Sequence, residues 1–198
     1  MKSTGIRRAA LACAAAVWAA AAAGPAQAEI KNAKDDSFLI TFKQTIPAPP
    51  AKVFESIGKP NLWWNSAHSW SSNAANLSLP LEAGGCFCER WDGGSVEHGR
   101  VVMIMKNQVV RLASALGPLQ SKSVSAMLTF SLKPEGAGTE LSLTYLVNGA
   151  SGSALDKSAG PVDHVVGEQF ERLVRYVETG NPAAPAAPSA PATPATKQ

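Results

Sequence analysis

Several signatures are missing from this chain, and each absence narrows its chemistry. It has no nucleophile elbow, phosphate loop, zinc-binding helix motif or dinucleotide fingerprint, so the reactions those spacings announce have no support. Cysteine is scarce. Of three cysteines, Cys13 lies near the N-terminus, leaving Cys86 and Cys88, whose spacing matches no common zinc pattern. Long apolar runs are also lacking. Ala9 to Ala23 is alanine-rich, and it is too short and too poor in Leu and Ile for a convincing membrane span. No internal repeat is visible.

An excess of charge is absent once the first segment is set aside. Lys2, Arg7 and Arg8 make a basic start, the alanine run follows, and "AQA" at 26–28 is a small-x-small cleavage pattern. Residues 1–28 therefore read as a secretory signal cut between Ala28 and Glu29, which predicts an exported, periplasmic or secreted protein. That segment holds three basic and no acidic residues. Taking three from the chain's 18 Lys+Arg leaves 15, against 15 Asp+Glu, a net charge of zero. No basic stripe remains to support nucleic-acid binding. Residues 29–35 read as a short linker. From Asn181 to Gln198, regular prolines among small residues predict an extended, solvated tail. What lies between, 36–180, is one domain with enough chain for a sizeable core.

Within that domain, Phe38 to Thr45 reads as a first strand. Two short helices follow at 50–57 and 60–65, each opened by a proline, and Trp63-Trp64 closes the pair. A loop at 66–75 and a short strand at 77–81 come next. Gly84-Gly85 break the chain before the strand "CFCER", and Asp92-Gly93-Gly94 is a hairpin signal. Strands over "VEHGRVVMIM", "QVVRLASAL", "SVSAMLTFSL" and "TELSLTYLV" complete a mostly sequential antiparallel sheet. Val162, Val165, Val166, Phe170, Leu173, Val174 and Val177 form one helical face, with Pro161 at the expected start and Gly180 beyond the end. The expected class is α+β: a curved antiparallel sheet of about six or seven strands wrapped around a long C-terminal helix, with two short helices after the first strand.

The order of "APPAKVFESIGKPNLWW", Gly84-Gly85 before Phe87, "HGRVV" at 98–102, "LTFSLKPEGAGTELSLTY" at 128–145 and "GEQFERLVRYVE" resembles the SRPBCC, or START-like, helix-grip superfamily. That superfamily includes polyketide cyclases, lipid-transfer domains and a branch resembling activators of the 90-kDa heat-shock chaperone ATPase. The resemblance covers most of 36–180. It implies a helix-grip fold, and it leaves function open because members bind lipids or hormones, cyclise polyketides or assist chaperones.

The first functional reading is a non-enzymatic protein that holds a small hydrophobic or amphipathic ligand between the sheet and the last helix, without a cofactor or metal. Alternation and the resemblance nominate Phe54, Trp64, Phe87, Met103, Phe130, Tyr145, Val166 and Phe170 as its lining. The second is a cyclase- or hydrolase-type enzyme with Glu89, Glu97 or His98 as acid–base group. The third is a protein-interaction module, which the chaperone-activator branch implies and which fits export poorly, because the chaperone's ATP is cytosolic.

Four further residues carry alternatives. Cys86 and Cys88 share a strand face about 6.5–7 Å apart, at the upper edge of disulfide reach, so a bridge requires a bulge. Otherwise they pack as small apolar residues. A three-residue hairpin turn would set Cys88 opposite His98. A two-residue turn would set Phe87 or Glu89 there and turn the cysteines away. His68 and Trp70 sit in a loop that either rims a cavity mouth or is packed down by the indole. His164 lies off the apolar stripe and is expected to be solvated.

Overall fold

The structure, a computed structural model, describes residues 27–183. All but the last two residues of the expected signal, and the tail beyond Ala183, lie outside the described residues.

The chain runs β1 (Gln27–Lys34), β2 (Ser37–Ile46), α1 (Pro50–Ile57), α2 (Pro60–Trp63), β3 (Leu77–Ser78), β4 (Cys86–Trp91), β5 (Gly94–Met105), β6 (Val109–Ala113), β7 (Ser125–Glu135), β8 (Gly138–Asn148) and α3 (Leu155–Thr179), with short 3-10 turns between several of them. The eight strands form one antiparallel sheet in the order β1-β2-β8-β7-β6-β5-β4-β3, which does not close. One strand was not foreseen. Glu29 to Lys34, expected as linker, belongs to β1 and pairs with β2. Its side chains alternate weakly and are exposed, Ile30 included, so only main-chain bonding to a neighbour makes it a strand.

The inner strands follow the period-two rule. Phe38, Ile40 and Phe42 of β2 and Leu141, Leu143, Tyr145 and Val147 of β8 are buried on the concave face. Helix α3 lies across that face, presenting Val166, Phe170, Leu173, Val174 and Val177, all buried. Phe170 stacks on Phe42 with ring centroids 5.6 Å apart. Gly167 makes this approach available: a Cβ there would sit 2.9 Å from the Phe42 ring, closer than packed carbons tolerate. The small helices close one end. Val53, Phe54, Ile57 and Trp63 are buried, and the Trp63 indole donates to the Ser56 carbonyl at 2.8 Å.

Helix α3 starts at Leu155, six residues before the expected Pro161. Its first turn is fixed from outside by Asp35. The Asp35 carbonyl accepts from the Leu155 amide at 2.8 Å, and its carboxylate accepts from the amides of Ala154 and Gly152. With its start anchored this way, the helix carries Pro161 internally, which leaves the Lys157 carbonyl without its intrahelical donor.

Candidate functional site

The β4–β5 hairpin decides which side chains meet. Its turn has two residues, Asp92 and Gly93, so Trp91 faces Gly94, Arg90 faces Ser95 and Cys88 faces Glu97. A bulge then falls between Phe87 and Cys88, and Phe87 faces Gly99, with His98 as the extra residue. Phe87, Glu89 and His98 thereby share the concave side. Cys86, Cys88, Glu97 and Arg100 are turned away. Cys86 and Cys88 are disulfide-bonded with their Cα atoms 5.2 Å apart. That separation is shorter than the roughly 6.5–7 Å expected for a flat strand, so β4 is contracted here, opposite the bulge that β5 makes at His98. Their sulfurs are bonded to each other, which takes both out of thiolate chemistry. Glu97 pairs with Arg100 in the open and lies 3.8 Å from the Cys86 sulfur. The register thus turns Glu97 away from the side that Glu89 and His98 face, toward an open groove it lines with Gln120 and Ser125.

Glu89 is fully buried, and its carboxylate is satisfied three ways. It accepts from the Trp70 amide at 3.0 Å, from the Ser71 amide, and from His98 Nε2 at 3.0 Å. Burial pushes its carboxyl up, but the bonds from Ser71, Trp70 and His98 outweigh that and hold it below the usual carboxylate range. Glu89 is thus an anion. Burial pushes the His98 imidazole down, and the adjacent Glu89 only partly restores it. His98 is therefore neutral near pH 7, with its proton on Nε2 facing Glu89 and a lone pair on Nδ1. Among the described residues, the hydrogen bond found for the His98 ring is the one between Nε2 and Glu89.

A second His–Glu pair sits on the loop side. His68 Nε2 lies 2.9 Å from Glu168 of α3, and the Asn65 side chain donates to the other Glu168 oxygen. The Asn65 amide donates to Gln169 at 2.7 Å, and the Trp64 indole donates to the His68 carbonyl at 3.0 Å. Burial pushes Glu168 up, and hydrogen bonds from Asn65 and His68 more than reverse it. These contacts tie the 64–71 loop to α3 at one end, while Glu89 ties it to the sheet at the other.

Between these ties lies a cleft of about 480 Å³. Its walls are the 64–70 loop, the Gly117–Lys122 3-10 turn and the N-terminal half of α3, and His98 lies in its lining. The apolar surface comes chiefly from Trp64, Leu116, Leu119, Val162, Val165 and Val166. Trp70, 58% exposed, stands at the mouth. The loop is held down by its main-chain bonds to Glu89 and not by this indole.

Of the eight residues nominated as lining, Trp64 and Val166 line the cleft. Phe87 lies just behind, with its ring 5.4 Å from Trp64 and 5.0 Å from His98. Phe54, Phe130 and Phe170 are core, a correction whose cause is the tight contact of the C-terminal half of α3 with the sheet. Tyr145 is core too, and its hydroxyl bonds the Ser114 carbonyl and the Leu116 amide. Burial pushes that phenol well above its ordinary range. Met103 is exposed, because a second bulge, between Val101 and Met103, reverses the alternation of β5. His164 is exposed, as expected. The residues missed lie in the 116–122 turn and at Lys157 and Ser158. Gly117-Pro118 was legible as a break in the chain, but nothing local told where the turn would fold.

No family model matches the chain, and no curated protein matches it by sequence. Solved structures do. CalU16 from Micromonospora echinospora superposes with a TM-score of 0.55 at 16% identity, over 81% of this chain and 88% of that one. An uncharacterized protein from Rhizobium leguminosarum gives 0.51 at 19% identity, over 77% and 99%. A protein from Mesorhizobium loti gives 0.50 at 20% identity, over 69% and 94%. With the eight-stranded open sheet gripping one long C-terminal helix, these likenesses identify the architecture: the chain has a helix-grip fold.

Proposed function

We propose that this protein holds a small apolar or amphipathic molecule in the cleft between the N-terminal half of α3, the 64–70 loop and the 116–122 turn. The observation that carries the reading is the cleft itself. Its volume of about 480 Å³ falls in the range of small-molecule sites, and its lining is apolar with a few converging polar groups. The core runs up to the cleft, where Leu119 and Val166 belong to it and Trp64, Leu116 and Val162 pack on its edge, so the cleft opens directly onto buried apolar surface. His98 supplies an orienting acceptor, because its neutral state leaves Nδ1 free to receive a proton donor from the ligand. We further propose that the working form is exported and begins at Glu29. A cut there removes the first two residues of β1 and leaves Glu29 to Lys34 to pair with β2.

One observation favours a second reading, an enzyme. His98 is held by a buried carboxylate in the manner of an oriented general base, and it lies in the cleft. In that reading a bound molecule gives a proton to Nδ1 while Glu89 stabilises the imidazolium.

The test is a fluorescent apolar probe, 1-anilinonaphthalene-8-sulfonate, titrated into the folded protein. We expect one saturable site that is lost in Val166→Trp, a variant designed to fill the cleft, with an unchanged circular-dichroism spectrum. No binding to the parent, or unchanged binding to the filled variant, would overturn the cleft as a ligand site.

A further inference from the structure

The cleft has direction. The α3 residues that line it are 157, 158, 161, 162, 165 and 166, a single strip down one face of the helix. From Lys157 to Val165 this strip runs about 12 Å at 1.5 Å per residue. At its start stand Lys157, Ser158 and, from the facing turn, Lys122. At its far end Val165 and Val166 lie on the side where Glu168 meets the aromatic 64–70 loop.

The charged and titratable groups in this lining are Lys122, Lys157, His68 and His98, and among the described lining residues none is a carboxylate. Among the acidic groups nearby, Asp163 of α3 has a buried Oδ1 without a hydrogen-bond partner but lies outside the lining, and the others are engaged or point elsewhere. Glu168 is bonded to Asn65 and His68, and Glu89 to Trp70, Ser71 and His98. Asp35 reaches the start of α3, but its two carboxylate oxygens accept from the Gly152 and Ala154 amides. Asp156, the neighbour of Lys157, is exposed and outside the lining. Lys122 is half-buried, and its ammonium donates to the Ser153 carbonyl at 3.0 Å. An ammonium has three donors, so that bond positions the group and leaves two N–H bonds free.

Taking the cleft reading as its basis, we infer that the ligand is an anionic amphiphile. Its carboxylate or phosphate head is bound by Lys122 and Lys157 at the α3 start, and its apolar body, about 12 Å long, extends toward Trp64 and Trp70. A carboxylate and a phosphate monoester share the chemistry that two ammonium groups recognise, so a free fatty-acid-like ligand and a lipid-phosphate-like ligand are two sources of one head.

The experiment titrates the full chain with decanoate, decyl phosphate, decanol and decylamine below their micellar concentrations, reading the tryptophan fluorescence, to which Trp64 and Trp70 of the cleft contribute among the chain's five tryptophans. We expect at least one anion to bind about tenfold tighter than decanol, as charge-assisted hydrogen bonds require, and decylamine to bind no tighter than decanol. In K122Q/K157Q the advantage of the anion over decanol is lost. Whichever of decanoate and decyl phosphate gains more from the lysines names the source. Equal binding of decanol and both anions, or a preference that survives the double variant, overturns the inference and leaves the cleft reading standing. No binding by any of the four overturns both.

Discussion

The two halves of helix α3 carry one continuous apolar stripe but do different things with it. From Gln169 to Val177 the stripe is core: Phe170, Leu173, Val174 and Val177 are all buried against the sheet and α1, and Phe42 stacks on Phe170. From Lys157 to Val166 it lines a cleft, with Val162 and Val165 only partly covered. Beyond Lys157 and Ser158 at its start, the side chains of the stripe are apolar in both halves. What differs is the opposing surface. In one half Gly167 lets large rings close in. In the other, the Glu89–His98 pair and the 116–122 turn hold the sheet side apart and present polar atoms that an apolar collapse would have to bury without partners. A helix face is thus equally suited to core or pocket, and its partners decide which.

Substitutions can break this contrast, beginning with the core half. Phe170→Ala should cost about 4 kcal/mol in denaturant unfolding, the range for emptying a well-packed aromatic site, and Val166→Ala should cost clearly less while enlarging the cleft. Equal costs would mean that both halves are core. Next, Glu89→Ala strips partners from two amides and His98 and should cost about 3 kcal/mol, with faster hydrogen exchange at Trp70 and Ser71. Slow exchange there in the variant would show that the loop holds itself. Gly167→Ala should cost about 1–2 kcal/mol, because the new methyl group meets the Phe42 ring, whereas Gly160→Ala, with open space around its Cβ, should be neutral or slightly stabilising.

The smallest effect is a dependence on pH. The folded state depresses the His98 pKa, so below the ordinary histidine value of about 6.5 the unfolded chain binds more protons than the folded one. Stability should therefore be fully present near pH 7 and fall as pH drops through 6 toward 5. The depressed Glu89 pKa adds its own loss at lower pH, beginning around its ordinary value of 4.5. His98→Gln should flatten the upper part of that slope, and an unchanged slope in this variant would assign it to another group.

Much of the fold was legible in the chain because it rests on local periodicity. Alternation in Phe38 to Thr45 and in "TELSLTYLV" marked β2 and β8, and the prolines at 50 and 60 marked α1 and α2. Legibility failed where a neighbour supplied the missing reason. Nothing in "EIKNAK" announces a strand, because its pairing is made by main-chain bonds to β2. Pro161 looked like a helix start because the cap that moves the start to Leu155 comes from Asp35, over a hundred residues earlier.

The candidate site was less legible. Glu89, His98, His68 and Trp70 could be nominated from residue chemistry, but their meeting depended on a two-residue turn and a bulge at Phe87/Cys88, and one residue of slip would have exchanged His98's neighbours for the cysteines. A second bulge in β5 put Met103 outside, and a contraction of β4 brought Cys86 and Cys88 within bonding reach.

By itself the sequence determined the α+β class, the order of most elements and the amphipathic face of the last helix, because spacing along one chain sets which side chains share a face. Only the tertiary structure decided where that face stops being core and becomes a cleft, which carboxylate is buried beside which histidine, and which lysines stand at the α3 start of the cleft. Those outcomes depend on registers and contacts between segments far apart in sequence, and no local pattern encodes them.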